Sequence, residues 1–294
     1  MNLWQEFKQP VSISEAIEEL QNAPKPVIPI AGGTDLLLDM RQGHHAPVHT
    51  LIDVTGIAEM NVVELRDQFL FIGAAVSFNR IIQNEYVNQH AQALIEACSL
   101  IAGPQVRNTA TLGGNVAHAL PAADGTIALT SLDTQVEVAS KTGLRKEPIV
   151  KLFVGPGQSA IDKDSELISG FYLPLLGSGE ASCFKRLMRP QGVALPILNC
   201  AIWLKRKDKT IKDIRIAIGP GGPTPFRATA TEAALRDMLY NEENISNAIQ
   251  SLLEQAKFRT SPRRATADYR RYVVTGLFRD TLSEAWARAD RSDA

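Results

Sequence analysis

Val27-Ile28-Pro29-Ile30-Ala31-Gly32-Gly33-Thr34-Asp35 runs a short apolar stretch into a pair of glycines, and Thr111-Leu112-Gly113-Gly114-Asn115 places a second pair some eighty residues on. The first reads as a strand, Val27 to Ile30, entering a glycine turn. Paired glycines permit positive φ and let the backbone approach a ligand closely. Successive backbone N–H groups can then line a concavity suited to a phosphate, and Thr34, Thr111 and Asn115 add side-chain donors. Either turn alone reads as a tight strand-to-helix connection. Two turns with matching polar neighbours point to a diphosphate site.

Working outward, Ser12-Ile13-Ser14-Glu15 has the form of a capping box, and helical spacing of apolar residues predicts a helix over 13–22. Strands are expected at 50–54, and at 62–65 and 69–74 as a hairpin around Arg66-Asp67-Gln68. Ser77 is expected to cap a helix reaching about 87, followed by a second over 90–101. Residues 102–126 show little periodicity and read as a long loop, a feature that in a compact domain is usually functional. Strands at 134–140, 144–150 and 166–173 lead to a compositional break at Pro174-Leu175-Leu176-Gly177-Ser178-Gly179-Glu180. The remainder reads as strands at 181–188, 196–206 and 211–218, then helices at 229–239, 244–257 and 265–290. Strands first and helices later predict an α+β fold, with a boundary near residue 177.

The 294 residues suit one large domain or two medium ones. With 45% apolar and 21% charged residues the chain is expected to be globular. Thirty-one basic residues against 32 acidic ones leave a formal charge of −1, which gives no electrostatic case for nucleic acid or an anionic membrane. No signal-peptide pattern and no apolar run long enough to span a bilayer is found, so a cytoplasmic protein is expected. Cys98, Cys183 and Cys200 form neither a disulfide framework nor the four ligands of an ordinary iron–sulfur cluster. His44, His45 and His49 read as an exposed turn rather than a metal site. The absence of G-x-x-x-x-G-K-[ST] excludes the usual P-loop, and Gly155-Pro156-Gly157-Gln158-Ser159-Ala160 fits G-x-G-x-x-A only without the helix that motif requires.

Taken together, Ala31-Gly32-Gly33-Thr34-Asp35-Leu36, the block from Ile101 to Asn115, Pro121-Ala122-Ala123-Asp124, Phe153-x-Gly155-Pro156-Gly157, Phe184-Lys185-Arg186 and Arg264-Ala265-x-Ala267-x-Tyr269-Arg270 identify a resemblance. The chain resembles the FAD-binding (medium) subunit of the xanthine dehydrogenase and carbon monoxide dehydrogenase family of molybdenum hydroxylases, over about residues 5–285. The resemblance implies an FAD-binding domain of the vanillyl-alcohol oxidase (PCMH) type over 1–176, with subdomains of about 1–55 and 56–176. It implies a small α+β C-terminal domain over 177–294, with a three-stranded antiparallel sheet and a helical bundle.

It further implies that FAD is the cofactor, held by Ile30, Ala31, Gly32, Gly33, Thr34, Asp35 and Leu36 on one wall. Thr111, Gly113, Gly114 and Asn115 would form the second wall. Asp124 would reach the flavin's polar chain, Ile168 would pack on the isoalloxazine, and Lys185 would contact the flavin ring. No residue is expected to act as a catalytic acid or base, and no metal ligand is expected. Implied partners are a large subunit with the molybdenum cofactor and a small subunit with [2Fe–2S] clusters, in a dimer of heterotrimers. Electrons would leave to NAD+ or another acceptor. Relatives with an extra cluster on this subunit carry a cysteine-bearing insertion that is missing here, so FAD is expected as the sole cofactor. His118, just after the second glycine pair, matches no fixed position; its place there would suit a residue near the flavin, but it reads rather as a partly exposed polar residue. The arginine-rich stretch from Lys257 to Arg279 reads as a subunit interface or as intrachain pairing. The rival reading is a self-contained FAD-dependent oxidase of the same fold, and a second rival is a nucleotide-binding or assembly protein that has lost the flavin.

Overall fold

A computed structural model describes residues 2–189, 195–262 and 264–291, apart from the side chain of Arg291. Three sheets carry the fold. The first is parallel, with Thr50–Asp53 between Glu6–Lys8 and Val27–Ile30. The second has five antiparallel strands in the order Val63–Arg66, Phe69–Gly73, Glu166–Pro174, Gln135–Ser140, Gly143–Pro148. The third is built on three long antiparallel strands, Glu180–Met188, Pro196–Lys207 and Thr210–Gly219, with short strands Phe226–Arg227 and Met238–Leu239 on the last of them. Helices Thr229–Leu235, Glu242–Gln255 and Ala267–Arg291 follow. The expected α+β order is what forms.

The local signals act as the residues dictate. Ser12 Oγ accepts the Glu15 amide at 3.2 Å and caps helix Ile13–Asn22. The reciprocal carboxylate bond goes to the Val11 amide rather than to Ser12. Ala16, Ile17 and Leu20 bury one face of that helix.

Several expectations need correction. Ser77 makes no side-chain cap bond, and the helix after it breaks into Phe78–Ile82 and Glu85–His90, the second capped by Asn84. The long loop over 102–126 is broken by short helices Pro104–Arg107 and Leu112–Ala117, and helix Asp124–Ser131 begins within it. Helices Pro104–Arg107 and Leu112–Ala117 fall below the two turns that a periodicity search needs, and Asp124–Ser131 is buried all round, so it shows no polar face. Strand Glu6–Lys8, with three residues, and helix Leu36–Arg41, with six, are likewise too short to show a period. The helix expected to reach 239 stops at Leu235 and gives way to strand Met238–Leu239.

The third sheet is buried on both faces. Phe184, Ala201, Trp203 and Ala217 face the core shared with the second sheet. Cys183, Cys200, Ile202 and Ile216 face Val274, Phe278 and Leu282 of the C-terminal helix. Alternate residues therefore belong to different cores. The polar side chains between them decide how the sheet joins the rest of the chain.

Candidate functional site

The two glycine turns meet. A Cβ on Gly32 would overlap the Thr109 carbonyl oxygen and lie 2.8 Å from the Ala110 Cα, so only glycine lets the first turn rest on the backbone leading into the second. Gly33 has φ +62°, the left-handed region that glycine favours. Across the same seam, His118 Nδ1 stands 3.5 Å from Asp35 Oδ2.

The turns differ in what they offer a ligand. Among the described residues, the amides of Gly32, Gly33, Thr34 and Asp35 have no hydrogen-bond partner. Four unpaired donors in a row fit a diphosphate. The second turn uses its amides internally. Leu112 donates to Val76, Gly113 to Ala74 at 2.9 Å, Gly114 to Thr111 Oγ1 at 3.1 Å, and Asn115 to the Thr111 carbonyl. Unpaired amides are therefore a feature of the first turn and not of the second. The cause is that Thr111, the N-cap of helix Leu112–Ala117, takes the Gly114 and Asn115 amides, while the carbonyls of Val76 and Ala74 take those of Leu112 and Gly113. Gly113 has no room for a Cβ because Ala74 lies against it, with the carbonyl oxygen at 2.6 Å. Gly114 is exposed, and a Cβ there would meet only Thr111 Oγ1, at 3.2 Å. The second wall therefore supplies open surface, together with the Asn115 side-chain amide nitrogen, which has no partner among the described residues.

Asn115 Oδ1 accepts from the Thr126 amide and hydroxyl, at 3.1 and 3.2 Å, and so docks helix Asp124–Ser131 beside the second turn. Asp124 opens that helix and is 4% exposed. Arg186 donates to one of its oxygens at 2.5 Å and Asn199 to the other at 2.7 Å. Burial pushes the Asp124 carboxyl up, against the pull of Arg186 and Asn199. These bonds fill two of the roughly four acceptor positions of a carboxylate. As placed, Asp124 joins the third sheet to the helix beside the glycine turns. Ile168 is buried in strand Glu166–Pro174, next to Ser169, whose carbonyl accepts the Ala74 amide at 3.0 Å. Ile168 is thus linked through Ala74 to Gly113.

Lys185 is not brought to this face. It pairs in register with Cys200, on the side that packs on the C-terminal helices, while Arg186 pairs with Asn199 on the opposite side. Strand alternation, with no bulge before Leu187, makes Arg186 the cation beside Asp124. The sequence signal for this was slight, because a strand buried on both faces has no polar side to read.

The other sequence features find plain places. Gly155–Ala160 forms a tight hairpin in which Gly157 has φ +70°, and the Gly157 amide reaches the Ala119 carbonyl at 3.0 Å. The three cysteines are buried; burial pushes all their thiols up, Cys200 to about 12. His44 is 3.7 Å from Asp39, His45 bonds the Ala46 carbonyl and His49 the Thr50 hydroxyl. Among the described residues no group of three His, Cys, Asp or Glu could hold a metal ion, and no helix is long and apolar enough to cross a membrane. Two clefts of about 490 and 310 Å³ lie elsewhere and are lined by none of the glycine-turn residues.

Comparison with known proteins settles the family. The FAD binding domain in molybdopterin dehydrogenase matches residues 4–176, and the CO dehydrogenase flavoprotein C-terminal domain matches residues 182–285. This chain belongs to the FAD-binding medium subunits of the xanthine dehydrogenase and CO dehydrogenase family. It is 29% identical to the xanthine dehydrogenase FAD-binding subunit of Escherichia coli O157:H7 over 285 residues, 96% of each chain. It is 31% identical to the nicotine 6-hydroxylase medium subunit of Paenarthrobacter nicotinovorans over 288 residues, 96% of this chain and 97% of the other. A chain of the carbon monoxide dehydrogenase from Hydrogenophaga pseudoflava superimposes with a TM-score of 0.92 at 27% identity, covering 98% of this chain and 99% of that one. The cofactor of this medium subunit is FAD, and it is a subunit of an oxidoreductase. The unpaired amides of Gly32 to Asp35 and the open face at Gly114 are chemically suited to the diphosphate of FAD.

Proposed function

We propose that this medium subunit is the electron-transfer subunit of a molybdenum hydroxylase, standing between the [2Fe–2S] clusters of a small partner subunit and NAD+ or another acceptor. The organic substrate would be oxidised at the molybdenum cofactor of a large partner, in a dimer of heterotrimers. The observation that carries this reading is the seam at Gly32, where two turns some eighty residues apart close on each other and leave four amides unpaired. FAD, when bound, supplies the change from one-electron arrivals to two-electron departures.

The chain's own residues have the binding and orienting tasks. The amides of Gly32, Gly33, Thr34 and Asp35 would hold the diphosphate, and Ile30, Ala31 and Leu36 frame that turn. Thr111, Gly113, Gly114 and Asn115 would form the facing wall, with Gly113 setting its distance from Ala74 and Asn115 donating through its side chain. Asp124 would use a remaining lone pair to accept from a hydroxyl of the flavin's chain, held in place by Arg186 and Asn199. Ile168 would present an apolar surface to the flavin ring and exclude water there. No side chain is assigned as a catalytic acid or base.

The division at residues 176 and 177 belongs to the same proposal, with 1–55 and 56–176 as the two parts of the FAD-binding unit. Purification from the native host under mild conditions tests the reading. A flavin spectrum with iron–sulfur and molybdenum subunits in the same complex supports it, whereas colourless, solitary protein refutes it. Flavin in a lone chain that oxidises alcohols or amines by itself would favour the self-contained oxidase.

A further inference from the structure

The cradle carries a negative charge of its own in an awkward place. Asp35 closes the turn whose amides face the ligand, and Asp39 follows one helical turn later. A carboxylate there opposes a diphosphate. Residues 30–36 and 109–118 contain no Lys or Arg, so His118 is the only side chain in either stretch able to carry positive charge. It follows the helix that bears the second glycine pair, and its Nδ1 lies 3.5 Å from Asp35 Oδ2. His118 is about one-third exposed and Asp35 about two-thirds, at 35% and 65%, so both remain within reach of a ligand and of solvent protons.

We propose that His118, as its imidazolium, is a diphosphate-binding residue: held by Asp35 at the seam between the two turns, it supplies a positive charge that neither turn otherwise has. This rests on the reading of the cradle as the FAD diphosphate site. The charged groups facing His118 are Asp35 and, more distantly, Asp39. The hydrogen bond and charge of Asp35 outweigh partial burial and hold the imidazole above its usual value, while His118 holds the Asp35 carboxyl below its own. A bound diphosphate adds negative charge beside His118 and raises it further. Binding above the free-state value therefore takes up a proton, and affinity falls as pH rises through the interval between the free and bound values.

Titration of the flavin-free full-length chain with FAD between pH 6 and pH 9, read by flavin fluorescence and by calorimetry in two buffers of different ionisation heat, tests this. The expected result is affinity weaker by about tenfold at the upper end, as when a bound ligand makes an imidazole tenfold harder to deprotonate, with proton uptake peaking at about half a proton per FAD. His118→Gln should bind with the weak affinity at every pH and take up no proton. Asp35→Asn should move the slope to lower pH, because the carboxylate that holds His118 protonated is gone. Matched thermal midpoints and circular dichroism at pH 9 confirm that the variants fold. A flat wild-type profile, or a slope that survives in His118→Gln, overturns the assignment of His118 and leaves the FAD site standing. A wild-type chain that binds no FAD at any pH overturns the FAD site itself, and this inference with it.

Discussion

Gly32 and the pair His118–Asp35 do different work at one seam. Gly32 is a matter of volume, since its missing Cβ is replaced by the backbone of Thr109 and Ala110, which cannot step aside as a side chain could. Gly32→Ala should therefore cost about 1–3 kcal/mol, the range for forced overpacking, measured by urea unfolding of the flavin-free chain. Gly114→Ala, facing only Thr111 Oγ1 at 3.2 Å, should leave that stability nearly unchanged. The ion pair is a matter of charge. His118 is raised, so its contribution is fully present below about 6.5, the ordinary imidazole value, and is lost as pH rises through its folded value. Asp35 is lowered, so its contribution is present above about 3.9 and is lost as pH falls through its folded value. The pair thus stabilises the flavin-free fold mainly between those limits, by less than about 1 kcal/mol for so exposed a pair. His118→Gln should lower the thermal midpoint slightly at pH 6 and not at pH 9.

At the scale of elements, the third sheet is fastened to the flavin-binding part by polar groups that pass through apolar faces. Arg186 and Asp124 form a pair with both side chains 4% exposed, and Asn199 completes it. Removing one partner strands a buried charge, at a cost of about 3–5 kcal/mol. Arg186→Met and Asp124→Asn should each destabilise on that scale, and the double variant should lose clearly less than the sum, as a double-mutant cycle in urea would show. A second fastening joins helix Gln92–Leu100 to the C-terminal helix. Glu96 accepts from Arg288 at 2.6 Å and from the Phe184 amide at 2.7 Å. How much was legible follows from the same elements. Strands with turn residues at their ends, such as Val27–Ile30 and Gln135–Ser140, could be read because the signal is local. Helix Leu112–Ala117 could not, because Gly113 and Gly114 have poor helix propensity and its first two amides, of Leu112 and Gly113, are satisfied by the distant carbonyls of Val76 and Ala74. The choice between Lys185 and Arg186 needed the strand's orientation, which a sheet covered on both sides does not declare in its sequence.

Over the whole molecule, the paired glycines look alike in sequence, yet the fold leaves the amides around the first pair unpaired and engages those of the second. The cysteines were legible as buried, and that burial pushes their thiols up. The pairing of His118 with Asp35 gave no local sign, since the two lie more than eighty residues apart. The near-zero formal charge of −1 fits a chain whose arginines are largely engaged within it, as in the pairs Arg227–Glu232, Arg279–Glu242 and Arg288–Glu96.

The central claim is that this subunit holds one FAD and exchanges electrons with iron–sulfur clusters on a partner. Anaerobic reductive titration of the native complex, following flavin and cluster absorbance together against flavin content per chain, tests it most directly. The account predicts one FAD for each copy of this chain and bleaching of the flavin as electrons arrive through the clusters. Absence of flavin, or flavin that stays oxidised beside fully reduced clusters, would contradict it.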